Sequence, residues 1–356
     1  MVIEQYTIAT TPKYNFPQSN MDTVLPQQFI ELSLYSLKHS LQLNQHNIQQ
    51  NSNPEEYAQT LRLGPEPIPL KPLHKENIIA AVDTSTIKIG DTDTGIVVAV
   101  RGANVWKQNG NYRYTRIGPF IFHITEENKS EVHNTLERAY FGTQNEPGHQ
   151  STPNLLQAPT RIASLLERWL QKTLSRTIST GLILFDGSLT SGTADTPTQR
   201  VKEILTNARK RANIVLAFSK MTTLRVNGHL ITDLLPCHKP PYLLEADGFR
   251  PRPPVVLLGN IYVARLSREN YAFRVDIDKE VPQERRIEAV EKLLGNDIFS
   301  QGYPETLRLA HILCTFTANE VLAMQHYVTR KFGVHIFNRP DMHRLLFGPY
   351  GKGEAY

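Results

Sequence analysis

A mixed α/β fold is what this sequence predicts: one five-stranded sheet flanked by helices, with a C-terminal hairpin and helical extension. Three features point to it. Two short apolar runs each close on an acid, IIAAVD (78–83) and GLILFD (181–186), and read as buried strands. Segments of helical apolar spacing, TRIASLLERWLQKTLSR (160–176) and PTQRVKEILTNARKRA (197–212), stand on either side of the second run. Asn109-Gly110-Asn111 lies between two further strand-like runs, a strong hairpin signal.

In chain order, IIAAVD is the first strand, TGIVVAVRGANVWK (94–107) the second and YRYTRIGPFIFHI (112–124) the third. A helical region follows, polar around 126–140 and amphipathic over 160–176. GLILFD is the fourth strand, 197–212 a helix with Pro at its start, and NIVLAFSK (213–220) the fifth strand. Beyond 221 the pattern predicts a short helix near 230–236 and a hairpin from VVLLGNIYVARLS (255–267) and YAFRVDID (271–278). A helix over QERRIEAVEKLLGN (283–296) and one long helix after Pro304 complete the chain. Before residue 78 the composition differs. LPQQFIELSLYSLKHSLQL (25–43) has helical spacing, QLNQHNIQQNSNP (42–54) is amide-rich, and GPEPIPLKP (64–72) has four prolines in nine residues, which favours extended chain. The organisation read from this is an N-terminal helical arm and proline-containing connector (1–77), a main domain (78–330) and a C-terminal tail (331–356).

Composition bounds the function classes. With 356 residues, 39 Lys+Arg against 34 Asp+Glu and a net charge of +5, the chain is mildly basic, which permits nucleic acid without demanding it. No run approaches the ~18 to 20 apolar residues that cross a bilayer, and the first twenty residues show no secretory pattern. Cys237 and Cys314 are the only cysteines, too few for a disulfide framework or a four-cysteine zinc site. The expectation is a cytoplasmic protein with no membrane association.

A carboxylate closing an apolar strand is costly, because it loses water where the core ends. One such Asp is often a turn former, and Asp186-Gly187-Ser188 suits that role. Two are harder to dismiss. Asp83 ends the first strand and Asp186 the fourth, and if those strands are neighbours both carboxylates meet at one sheet edge. A divalent cation relieves their repulsion, and oxygen ligands favour Mg²⁺ or Mn²⁺ over zinc. Carboxylate-held ions about 4 Å apart serve phosphodiester cleavage. Glu167 is the candidate third acid, at the border of the stripe formed by Ile162, Leu165, Leu166, Trp169 and Leu170. Glu137 in NTLERAYF competes with it, and Glu131 is a weaker alternative. Lys220, ending AFSK, is placed to hold a phosphate or stabilise a leaving group, although a lysine there often only reaches water. Tyr303 and His311 sit in QGYPETLRLAHILCTF, where His311 shares a helical face with Leu307 and Cys314.

The order of three strands, helix, strand, helix, strand, with acids on the first strand, first helix and fourth strand, resembles the RNase H-like fold. Within it, AAVDTS (80–85), LILFDGSL (182–189), AFSK (217–220) and YPETLRLAH (303–311) resemble the NurA-domain nucleases, partners of the HerA hexameric translocase ATPase. The resemblance spans roughly 78 to 330 and implies a metal-dependent DNA nuclease of DNA end processing, using Mn²⁺ or Mg²⁺. Carried over, the metal-binding acids are Asp83, Glu167 and Asp186, with Tyr303 and His311 from the C-terminal motif, His311 as a ligand or phosphate contact. It implies a homodimer, through the hairpin near 255–278 and terminal segments, with DNA in a central channel. Arg161, Arg168, Lys172, Arg176, Arg200, Lys202, Arg209, Lys210 and Arg211 stud two helices whose basic faces would hold phosphate backbones, the alternative being ordinary solvated faces. The chain departs from the family in reading Asp-Thr-Ser where Asp-Gly-Ser is commoner, and in a long stretch between Asp83 and Glu167.

Two other classes compete. An actin-like ATPase also carries early and late strand-end Asp residues, but its phosphate loops need nearby glycines, and Asp83 is followed by Thr-Ser-Thr-Ile. A non-catalytic RNase H-like nucleic-acid-binding scaffold is the second.

Overall fold

A computed structural model of the chain describes residues 61–141, 154–193, 195–236 and 238–337, all within the unit Gln59–Tyr356. The helix expected over 25–43, the loop over 42–54, Cys237 and most of the C-terminal tail lie outside the described residues.

The first three strands form a meander: β1 (Ile79–Asp91), β2 (Gly95–Gln108) and β3 (Asn111–Thr125). Helices α1 (Lys129–Phe141) and α2 (Ala158–Thr177) lead to β4 (Leu182–Asp186), and α3 (Thr198–Lys210) to β5 (Ile214–Ser219). Next come β6 (Tyr242–Asp247), β7 (Gly259–Arg265) and β8 (Phe273–Asp278). The chain closes with α4 (Gln283–Asn296), α5 (Glu305–Cys314) and α6 (Ala318–Phe332). The sheet runs β6-β7-β8-β5-β4-β1-β2-β3. β1, β4 and β5 are parallel; β2 and β3, and the β6–β8 meander, are antiparallel to their neighbours. The five strands β3-β2-β1-β4-β5 have the order and senses of the RNase H-like fold, and β6 to β8 extend that sheet beyond β5.

The parallel strands read as continuous apolar runs because helices cover both of their faces. Ala80, Val82, Ile183, Phe185, Val215 and Ala217 meet Ile162, Leu166, Leu170 and Leu174 of α2 and Val201, Ile204, Leu205 and Ala208 of α3. Ile79, Ala81, Leu182, Leu184, Leu216 and Phe218 face the other layer, with Ala289, Val290 and Leu293 of α4 and Leu307 and Ala310 of α5. Each fully buried Leu or Ile contributes about 1.5–3 kcal/mol, so these two faces dominate the stability of the unit. The connector belongs to it as well. Arg62–Leu63 and Ile68–Pro69 pair with β6, Leu70 is buried in the α4–α5 layer, and Leu73 N donates to Glu291 O at 2.9 Å.

Four expectations need correction. The first strand does not end at Asp83: β1 runs on to Asp91, because Thr84–Lys88 keep pairing with β2 after the contact with β4 has ended. No helix forms near 230–236; Asn227 and Gly228, with φ 50° and 83°, turn a small hairpin between Arg225–Val226 and His229–Leu230. The long helix after Pro304 is two helices. Thr317 and Glu320 form a reciprocal capping box that starts α6 three residues after α5 stops. The hairpin β7–β8 lies inside the sheet and not as an appendage to it, with β6 on one side and β5 on the other. Among the described residues, no helix is long and apolar enough to cross a membrane.

Candidate active site

β4 stops at Asp186 while β1 continues. The last cross-strand pair between them is Val82 with Phe185, so Asp83 and Asp186 are the next residues on adjacent parallel strands. Both follow the side-chain parity of Ala81 and Leu184, which pack in the α4–α5 layer, so the two acids share a face. The chain turns sharply after Asp186: Gly187 has φ 100°, in the left-handed region that only glycine occupies at little cost.

Asp83 is buried. Its Oδ1 accepts from the Thr84 N–H at 2.7 Å, and its Oδ2 lies 2.7 Å from His311 Nδ1 on α5. Burial pushes the Asp83 carboxyl above its ordinary range; the His311 hydrogen bond opposes this and the Asp186 charge adds to it. Asp186 accepts from Lys220 Nζ at 2.7 Å. Lys220 lies just past the end of β5, one strand over, and its ammonium is 5.8 Å from the centre of the Tyr303 ring. Tyr303 is buried edge-on against Phe218 and Phe273. Its hydroxyl is pushed up by burial and then by the charges of Asp186 and Asp83, and so remains protonated.

Glu167 arrives from α2, on the opposite layer. Its Oε1 accepts from Gln171 Nε2 at 2.7 Å, and Arg168 donates to the other end of the same amide at 2.6 Å. Burial raises its carboxyl to about 7; Arg168 opposes the shift, and the charges of Asp83 and Asp186 reinforce it. The three acids therefore act on one another electrostatically. Glu137 does not join them: it is buried on α1 against Arg200 of α3. Glu131 is exposed in the first turn of α1. Of the two competing glutamates, Glu167 is the one the fold brings to Asp83 and Asp186.

Helix α5 carries His311 and is fixed at both ends. At its start, Asp297 accepts from the Thr306 N–H at 3.1 Å and the Tyr112 hydroxyl at 2.8 Å. At its end, buried Arg101 donates to Thr315 O at 3.2 Å and makes two bonds to Glu320. Cys314, one turn beyond His311, donates to His311 O at 3.2 Å. Asp83, His311 and Cys314 present ligand-type atoms within 4.8 Å of one another. In the sequence, only the spacing of three on one helical face joins Cys314 to His311. Burial pushes the Cys314 thiol up to about 12, with Asp83 adding to the shift, and a soft sulfur is a poor match for a hard cation such as Mg²⁺. Asp83, Glu167 and Asp186 are hard oxygen donors of the kind that Mn²⁺ or Mg²⁺ takes, and a cation would offset the burial of Asp83 and Glu167 and the repulsion that Asp186 adds.

Several cations of the basic helices are engaged in ion pairs. Arg161 pairs with Asp195, Lys172 and Arg176 share Glu203, Arg200 pairs with Glu137, and Arg209 pairs with Asp278. These ion pairs bind α2 and α3 to their surroundings.

No protein-family profile and no curated protein matches the chain. Among solved structures, the NurA nuclease from Sulfolobus solfataricus is similar at 15 % identity and a TM-score of 0.47, covering 88 % of this chain and 98 % of that one. A second NurA structure is similar at 10 % identity and a TM-score of 0.37, covering 74 % of this chain and 91 % of its own. An endonuclease V from Bacillus subtilis is similar at 12 % identity and a TM-score of 0.33, covering 74 % and 88 %.

Proposed function

We propose that this chain is a metal-dependent DNA nuclease that hydrolyses phosphodiester bonds in DNA end processing. The observation that supports the reading is that Asp83 and Asp186 follow the last pair of the adjacent strands β1 and β4 on one face, with Glu167 of α2 near enough to feel both charges and with Lys220, Tyr303 and His311 beside them. Asp83, Glu167 and Asp186 would hold Mn²⁺ or Mg²⁺. When bound, the ion supplies Lewis acidity to the attacking water and to the leaving oxygen. His311 keeps Asp83 in place through Nδ1 and has Nε2 left for a phosphate oxygen. Lys220 offers a positive charge beside Asp186, where negative charge builds on the phosphate. Tyr303 stays protonated and can donate a hydrogen bond to the substrate. The HerA-type hexameric ATPase as partner, the homodimer and the cytoplasmic location rest on the motifs AAVDTS, LILFDGSL, AFSK and YPETLRLAH and on composition. Asp83 lies within β1 and Asp186 at the end of β4, and no glycine-rich phosphate loop follows Asp83, which favours nuclease over the ATPase alternative.

The test is incubation of the full chain with linear single- and double-stranded DNA in Mn²⁺, Mg²⁺ or EDTA. Degradation that EDTA stops and that Asp186→Asn reduces at least about a hundredfold, as expected when a catalytic ligand is lost, supports the reading. Degradation indifferent to EDTA, or none by folded protein, favours the non-catalytic scaffold.

A further inference from the structure

A second pair of buried charges lies outside the site described above. β8 carries Arg274 and Asp276 two positions apart, both buried, with Asp276 fully enclosed. Their parity is opposite to that of Val275 and Ile277, so they lie on the face of the sheet away from Asp186. Arg274 grips Asp276 with two hydrogen bonds of 2.7 Å. Such a pair is a weak device for stability, because apolar residues of similar volume avoid stripping water from two charges. What an apolar residue cannot do is accept a hydrogen bond, and Asp276 Oδ2 accepts one from the Leu189 N–H at 3.0 Å.

Leu189 is the third residue after Asp186, at the far end of the Gly187 turn. The same turn is held at two further points: Gly187 N donates to Phe218 O at 2.8 Å, and Ser219 Oγ donates to Gly187 O at 2.9 Å. Ser219 is the cross-strand partner of Arg274. Gly259 leaves the room this contact needs, since a Cβ there would come within 2.9 Å of Asp276 Cβ and 3.1 Å of Leu189 Cβ. The turn behind Asp186 is thus clamped from β5 and β8 together.

We propose that Arg274 and Asp276 are positioning residues for the active site: the pair fixes the 187–189 turn and, through it, the place of the Asp186 carboxylate opposite Asp83 and Glu167. Its catalytic consequence rests on the nuclease reading. Arg274 holds the Asp276 carboxylate in one plane, which keeps Oδ2 aimed at the Leu189 N–H. A small displacement of a group in an active site is enough to lower turnover without loosening substrate binding.

Three measurements on the full chain test this. The double variant Arg274→Met, Asp276→Leu removes both charges at once, and Ser219→Ala removes a single hydroxyl from the same clamp. In the double variant, turnover on linear DNA should fall by about ten- to a hundredfold with KM unchanged. Its melting temperature should stay near that of the natural chain, and exchange of the Leu189 amide with deuterated solvent should accelerate. Ser219→Ala should lower turnover in the same direction by less. A folded double variant with full turnover, or with Leu189 still protected, overturns the proposal. If the double variant does not fold, unchanged turnover in Ser219→Ala overturns it. Absence of DNA cleavage by the natural chain counts against the nuclease reading alone, and the exchange of Leu189 then decides the clamp.

Discussion

Asp83 and Asp186 were legible in the sequence because an acid at the end of an apolar run needs a reason to be there. What one dimension did not carry was the shape of β1. Thr84, Ser85 and Thr86 continue the strand past Asp83 with polar side chains that interrupt the apolar run, where only β2 pairs with them. Glu167 was ambiguous with Glu137 for a related reason: both lie near apolar stripes, and only the fold shows Glu137 held by Arg200. The state of Glu167 leads to a pH prediction. Its carboxyl, raised to about 7 by burial and its acidic neighbours, must lose its proton to bind a cation. Mn²⁺ affinity, measured by calorimetry, should therefore strengthen by up to about tenfold per pH unit below pH ~7 and level off above it. Glu167→Gln should flatten the profile. An equally steep profile in that variant would remove Glu167 from the ligand set.

At the scale of elements, the first five strands and their helices were readable because each carries a local period and a local stop signal. Two other segments carry their stop signals inside a pattern that otherwise runs on. Asn227-Gly228 is the same kind of turn signal as Asn109-Gly110, and Thr317-x-x-Glu320 is a capping box inside what looked like one helix. That box has a second role. Glu320 accepts from the backbone and hydroxyl of Thr317 and also neutralises Arg101, which ties α6 to the end of the helix bearing His311. The Arg101 hydrogen bond, with that of Thr317, holds the Glu320 carboxyl down at about 2. A depressed carboxyl contributes stability that is present above its unfolded value near 4.5 and lost as pH falls towards about 2. Glu320→Gln should cost about 1–2 kcal/mol at neutral pH and reduce the loss of melting temperature between pH ~5 and ~3. An unchanged acid sensitivity would assign that sensitivity to other carboxylates.

At the scale of the whole molecule, the sequence carried the RNase H-like core but not its extension. A hairpin is local, whereas the choice of β5 as the edge on which β8 docks depends on residues some sixty positions apart, Arg274 with Ser219 and Ile277 with Leu216. The connector was read as a linker because of its prolines, yet Pro69 pairs at the free edge of β6, where a missing N–H costs little. Leu70 then enters the α4–α5 layer. Leu70→Ala should accordingly destabilise the unit by about 2–4 kcal/mol in urea unfolding, as for a core leucine, where a true linker residue would show almost no change. The functional reading depends on three acids from β1, α2 and β4 sharing a divalent cation. Anomalous diffraction from crystals of the full chain grown with Mn²⁺ tests it: the reading predicts a manganese peak coordinated by both Asp83 and Asp186, and a peak elsewhere, or none with His311 and Lys220 still on those carboxylates, would contradict it.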